Sequence, residues 1–117
     1  MIKIYGIKNC DTMKKARFFL SDNHIEHQFI DYRLDGLERA QLEQFCQQLD
    51  WQQLLNTRGT TYRALPEEAK ADLDQTKAIE LMLAQPALIK RPLLDIDGQL
   101  HLGFSQQQYQ QLLKSTA

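Results

Sequence analysis

Apolar positions first alternate and then recur at helical spacing along this chain, and the changes of period mark out its elements. Ile2 and Ile4, with Ile7 beyond Gly6, give a short β-segment. From Asp11 the period lengthens. Met13, Ala16 and Phe19 or Leu20 recur at helical intervals up to about Asn23, and Asp11 and Thr12 suit a helix start. IEHQFIDY, residues 25–32, reads as a second strand with Ile25, Phe29 and Ile30 turned inward. Gly36 closes a loop. LERAQLEQFCQQL, residues 37–49, is the clearest amphipathic helix, with Leu42, Phe45, Cys46 and Leu49 on one stripe.

The next stretch is helical but broken. Trp51, Leu54 and Leu55 predict one short helical turn, and NTRGTTY, residues 56–62, a loop. PEEAKADL, residues 66–73, opens with the proline and acids that favour a helix N-terminus. DQTKAIELMLAQ, residues 74–85, is a further helix stopped at Pro86. Asp97-Gly98 between two β-like runs predicts a hairpin. The last helix opens at Ser105, three residues before Gln108, in the pattern of a capping box, with Tyr109, Leu112 and Leu113 on its inner face. The order is β-α-β, several helices, a β-β hairpin, then α. A βαβ unit implies a parallel pair with a right-handed crossover. The expected fold is therefore α/β: a thioredoxin-like, four-stranded mixed sheet in one domain over residues 1–117, with a helical insertion at about 37–86 between the N-terminal βαβ and C-terminal ββα parts.

Composition narrows the function classes. The chain has 117 residues and a formal net charge of −1. Near neutrality argues against bulk binding to nucleic acid or an anionic membrane surface. No apolar run approaches the length of a membrane span. MIKIYGIK begins at once with a strand pattern and not with a basic leader and apolar core, so a cytoplasmic location is expected. Cys10 and Cys46 are too few for a disulfide scaffold, and cytosolic thiols stay reduced. A monomer with no bound cofactor is expected. His24, His27 and His101 have no metal-ligand spacing, and no metal is expected. Asp95 and Asp97 read as strand-end and turn residues.

The candidate chemistry sits in YGIKNCDTMKKA, residues 5–16. Cys10 stands directly before a helix, and Lys8, Lys14, Lys15 and Arg17 lie within a turn or two, against Asp11 alone. A thiol reacts as its thiolate, which unpaired N–H groups and the dipole at a helix N-terminus favour. The same geometry can hold an oxyanion beside the sulfur. The alternative is a small buried cysteine at a strand end, although buried structural thiols do not usually sit in so electropositive a turn. Cys46, on an apolar helix face, reads as packing. The C-x-x-C redox motif is absent, since Met13 stands where a resolving cysteine would. Any intermediate on Cys10 must be resolved by an external thiol, glutathione first. LIKRPLLDIDG, residues 88–98, places Lys90, Arg91 and Pro92 before a strand. Taken alone, Arg91 reads as a solvated surface charge, and so does Arg58 in the NTRG loop.

IYGIKNCDTMKKA, LLNTRGTTYRAL, and LIKRPLL before a D-G hairpin together resemble the ArsC/Spx family, and within it the YffB-like proteins, over nearly the whole chain. The resemblance implies a thioredoxin-like fold with a helical insertion. It implies a cysteine matching Cys10 that attacks an oxyanion to form a covalent thiol adduct, passed on to glutathione and glutaredoxin. It matches Arg91 to the family's anion-holding arginine, with Pro92 in cis. The mid-chain arginine of the arsenate reductases falls near Asn56, leaving Arg58 as a shifted substitute, and their late arginine falls near Gly103. The expected site is thus Cys10 as nucleophile, with Lys8, Asn9, Thr12, Arg58, Arg91 and Pro92 binding a small oxyanion or thiol substrate. The other branch of the resemblance, the Spx-type regulators that bind RNA polymerase, implies a non-catalytic interaction module.

Overall fold

The computed structural model describes residues 1–8 and 10–114, the last of these by its backbone only. It contains β1 (Ile2–Gly6), α1 (Asp11–Asp22), β2 (Gln28–Asp31), α2 (Arg39–Gln48), α3 (Trp51–Leu54), α4 (Thr60–Arg63), α5 (Glu67–Lys70), α6 (Gln75–Ala84), a 3-10 turn (Pro86–Leu88), β3 (Leu93–Ile96), β4 (Gln99–Leu102) and α7 (Gln106–Lys114). The strands form one sheet in the order β2-β1-β3-β4, with β1–β3 and β3–β4 antiparallel. This is the thioredoxin-like plan of a mixed four-stranded sheet. The chain divides into two compact units, one of residues 1–30 and 91–117 and one of residues 31–90.

In the first unit, β1 and β3 pair Ile2 with Ile96 and Ile4 with Leu94. Alternation sends these four side chains to one sheet face. There they meet Met13, Ala16, Phe19 and Leu20 of α1 and Tyr109 and Leu113 of α7 in a single core. Between them, Lys3 stands opposite Asp95, a favourable cross-strand pair. The β3–β4 turn has Asp97 and Gly98 at φ +50° and +96°, the two left-handed residues of a type I′ hairpin. The Asp95 carboxylate accepts from the Gly98 N–H at 2.7 Å.

Helix α1 ends in a Schellman motif. The Ile25 N–H donates to Leu20 O (2.8 Å) and the His24 N–H to Ser21 O (3.1 Å), with His24 at φ +57°. Committing Ile25 to the helix terminus delays the strand, so β2 begins at Gln28 and not at residue 25. At α7 the Ser105 hydroxyl accepts from the Gln108 N–H at 3.0 Å, whereas the Gln108 side chain donates to Leu102 O instead of completing the box.

Phe19, Phe104 and Tyr109 meet edge to face, with centroids 4.7–6.1 Å apart. The Tyr109 hydroxyl is buried with no hydrogen-bond partner among the described residues, and burial pushes its phenol pKa far up. Because an unmet buried polar atom costs about 1–3 kcal/mol, Tyr109→Phe is expected to leave stability unchanged or to raise it by about 1 kcal/mol in thermal or urea unfolding. A clear loss would mean that the hydroxyl has a partner.

The second unit is held by capped helices. Glu38 and Gln41 form a capping box on α2, as do Asp50 and Gln53 on α3, and Asp74 caps α6 by accepting from the Lys77 N–H. Helix α2 is shorter than its apolar stripe predicts, and Leu49 is its C-cap. The segment expected to be a loop contains α4 at Thr60–Arg63, which buries no residue. The buried Asp31 carboxylate accepts from the N–H groups of Arg33 and Leu34 at 2.7 and 3.0 Å, closing the turn that leads into this unit. No helix among the described residues is long and apolar enough to cross a membrane.

Candidate active site at the N-terminus of helix α1

Cys10 is the N-cap of α1, with an extended backbone at φ −112° and ψ 130°. Its carbonyl accepts the first helical hydrogen bond, from the Lys14 N–H at 3.0 Å. This leaves the N–H groups of Asp11, Thr12 and Met13 without intrahelical acceptors, pointing back toward the cap. The cysteine is half-buried and packs against the edge of the core.

Two opposing influences set its ionisation. Burial raises the Cys10 pKa, because a thiolate loses water. Against this act hydrogen bonds from the Met13 N–H, the Arg91 side chain and the Thr12 N–H, together with the positive charge of Arg91. The net effect is a thiol below its ordinary value. Cys10 makes no side-chain capping hydrogen bond to its own helix, and the first-turn N–H groups and Arg91 act by favouring the charged form of the sulfur.

The charge acting on the sulfur corrects an expectation. Lys8, Lys14, Lys15 and Arg17 are the cations adjacent in sequence, yet the largest charge effect is that of Arg91. Lys8, Lys14 and Lys15 are exposed, and the Arg17 guanidinium lies over the Phe29 ring at 4.2 Å from its centroid. Nor is Arg91 the solvated surface charge that it suggests in isolation: it is half-buried just before β3. Pro92 is buried, the Arg91–Pro92 peptide bond is cis, and the Pro92 carbonyl accepts from the Gly103 N–H at 3.0 Å. Thr12 is exposed in the first turn of α1 and reaches the site through its backbone.

Thr12 and Arg91 thus act on the Cys10 sulfur, with Pro92 next to Arg91 in the chain, and the structure adds Met13, which the sequence offers as a core position of the helix and as a missing cysteine. Its signal was present as the third helical residue after the cap, whose N–H is always unpaired within the helix. Asn9 lies outside the described residues. Arg58 belongs to the second unit, where it is exposed and its N–H donates to the Asn56 side-chain oxygen at 3.1 Å. Cys46 is half-buried on α2, and burial, followed by the charges of Asp50 and Glu43, pushes its thiol up. No group of three histidine, cysteine, aspartate or glutamate side chains among the described residues could hold a metal ion.

A sheet of this order with a single cysteine at the head of its first helix defines a class, and residues 5–112 match the ArsC family. The chain belongs to that family. The YFFB protein, a solved structure, shares 50% identity with it at a TM-score of 0.88, over 93% of this chain and 96% of its own. An arsenate reductase (ArsC) related protein from Brucella melitensis also shares 50% identity, at a TM-score of 0.79, over 97% of this chain and 94% of its own. The global transcriptional regulator Spx 2 of Lactococcus lactis is 26% identical over 118 residues, covering 99% of this chain and 89% of its own.

Proposed function

We propose that this protein is a thiol oxidoreductase of the arsenate-reductase type, that Cys10 is its nucleophile and that glutathione supplies the electrons. The observation that carries this reading is the place of Cys10 as the N-cap of α1, where the first-turn N–H groups and Arg91 lower the thiol pKa against the cost of burial. Together they favour the thiolate and leave a cationic, donor-rich place for an incoming anion.

Two reactions suit the site. With a disulfide substrate, the Cys10 thiolate attacks one sulfur, the S–S bond breaks, and the second sulfur leaves as a thiolate. With an oxyanion such as arsenate, the thiolate bonds to the central atom and an oxygen departs as water after protonation. A glutathione thiolate then attacks the Cys10 sulfur of the adduct. The S–As bond breaks, arsenic keeps the electron pair and is reduced by two electrons, and Cys10 is left in a mixed disulfide with glutathione. A further thiol, from glutathione or a glutaredoxin, attacks the glutathione sulfur of that disulfide and frees Cys10. No second protein thiol is invoked, because Met13 is buried where a resolving cysteine would stand. Arg91 orders the anion, and Lys8, Asn9 and Pro92 keep the binding roles expected of them; Arg58, which lies in the other unit, is given no role here.

The test is ionisation and its product. Alkylation of Cys10 should reach half its maximal rate at a pH below that of a free thiol, about 8.5, and Cys46 at a pH above it. The sign follows from the thiolate being the reactive form: a lowered pKa moves the rise to lower pH. After exposure to oxidised glutathione, peptide mass spectrometry should place the glutathione adduct on Cys10. An adduct mainly on Cys46, or coincident titrations, would sink the assignment.

The Spx relatives support a second reading, an interaction module on the same fold. It would be favoured by capture of a stoichiometric protein partner that Cys10→Ser leaves unchanged, without measurable thiol transfer.

A further inference from the structure

Gly6 ends β1 and is buried, and its φ does not lie in the left-handed region. Backbone conformation therefore does not require glycine here. The neighbouring side chain does. A Cβ at position 6 would overlap the Met13 sulfur and stand 2.7 Å from its Cε and 3.0 Å from its Cγ, inside the distances that real side chains tolerate. Met13 is 1% exposed and belongs to the core, so its thioether, the far end of a flexible side chain, can make room only by repacking among its core neighbours. Met13 also bears on Cys10, but through its backbone: as the third residue of α1 its N–H has no intrahelical acceptor and faces the Cys10 cap, where it favours the thiolate. One residue thus has its side chain packed against the end of β1 and its amide turned toward the cap.

We propose that Gly6 and Met13 form a positioning pair for Cys10: the notch left by Gly6 seats the Met13 thioether, pins the first turn of α1 against β1, and so aims the Met13 N–H at the Cys10 sulfur. The proposal rests on the reading of Cys10 as the reacting thiol. Where a C-x-x-C protein carries its second thiol, this chain carries a core anchor that works through its amide. The physical basis is steep. A charge-assisted hydrogen bond weakens sharply when its donor shifts or tilts, and close packing transmits a displaced side chain to the backbone that bears it.

The experiment follows two readouts over pH in the full chain: the alkylation rate of Cys10, resolved from Cys46 by mass spectrometry, and the amide chemical shift of Met13. Gly6→Ala evicts the thioether from the notch, and Met13→Ala removes it without a clash. Each is expected to raise the Cys10 midpoint by about half a pH unit or more. Met13→Leu, which refills the notch, should stay close to wild type. The double variant should go no further than either single one, since both break the same contact. The Met13 amide signal should move with Cys10 ionisation in wild type and by less than half as much in the two alanine variants. Melting temperatures that fall while the midpoint and the amide response stay put would show a purely structural role and overturn the pair. Should Gly6→Ala fail to fold, Met13→Ala decides the question by the same readouts. A wild-type midpoint at the ordinary thiol value overturns the reading of Cys10 itself. The Met13 amide response still judges the pair, because it reports the N–H···S contact at any midpoint.

Discussion

Cys10→Ser is expected to reduce thiol transfer to the level of a protein-free control, whereas Cys46→Ser should retain it. The asymmetry comes from ionisation. A sulfur nucleophile needs only to be deprotonated near neutral pH, and at position 10 the Met13 and Thr12 amides and Arg91 favour that against the cost of burial. A serine hydroxyl in the same place ionises far too weakly for those donors to make it a nucleophile, so the geometry survives while the chemistry stops. At Cys46 every influence runs the other way: burial first, then the carboxylates of Asp50 and Glu43, disfavour the thiolate. Serine there should change stability by less than about 1 kcal/mol, because the side chain is only half-buried. Turnover of a glutathione-mixed disulfide, with intact mass to show the loading of each cysteine, checks both. Equal losses in the two variants would remove the division of roles.

Much of this arrangement was legible in the residues, for reasons that can be stated. Helix α1 announces itself through Met13, Ala16, Phe19 and Leu20, all of which are buried. The hairpin follows from Asp97-Gly98, which adopts the two left-handed conformations such a turn requires. The position of Cys10 could be read because an N-cap is a local property. Helix α4 could not be: four residues with no buried side chain and a glycine N-cap leave no apolar period to detect. The early start assigned to β2 failed because Ile25 has strand chemistry but gives its N–H to the end of α1. Arg91 is legible only through the family resemblance, since its own neighbourhood reads as a surface charge. Its place depends on the β1–β3 register, in which Tyr5 lies opposite Leu93. Following β3 back past Leu93 carries the chain to Arg91 alongside the turn that leads to Cys10, and no local pattern encodes that alignment.

Arg91→Ala should therefore produce the second large effect, and its pH dependence separates two ways in which the guanidinium could act. If Arg91 serves the sulfur, its loss removes a hydrogen-bond donor and a positive charge from the thiolate. The Cys10 alkylation midpoint then rises by about one pH unit, a figure held below that of a fully buried ionic hydrogen bond because the cysteine is partly solvated. Thiol transfer measured below the wild-type midpoint falls about tenfold, and the deficit closes as pH climbs past the raised midpoint. If Arg91 serves only an anionic substrate, the midpoint stays where it was, KM rises at every pH, and alkaline conditions rescue nothing. Arg91→Lys keeps a charge but loses the planar fork of donors, so it should fall between alanine and wild type on the midpoint and nearer alanine for any substrate held at two points. A variant indistinguishable from wild type by both measures would return Arg91 to the surface charge that its sequence neighbourhood suggests, and would leave the Met13 and Thr12 amides to favour the thiolate among the described residues.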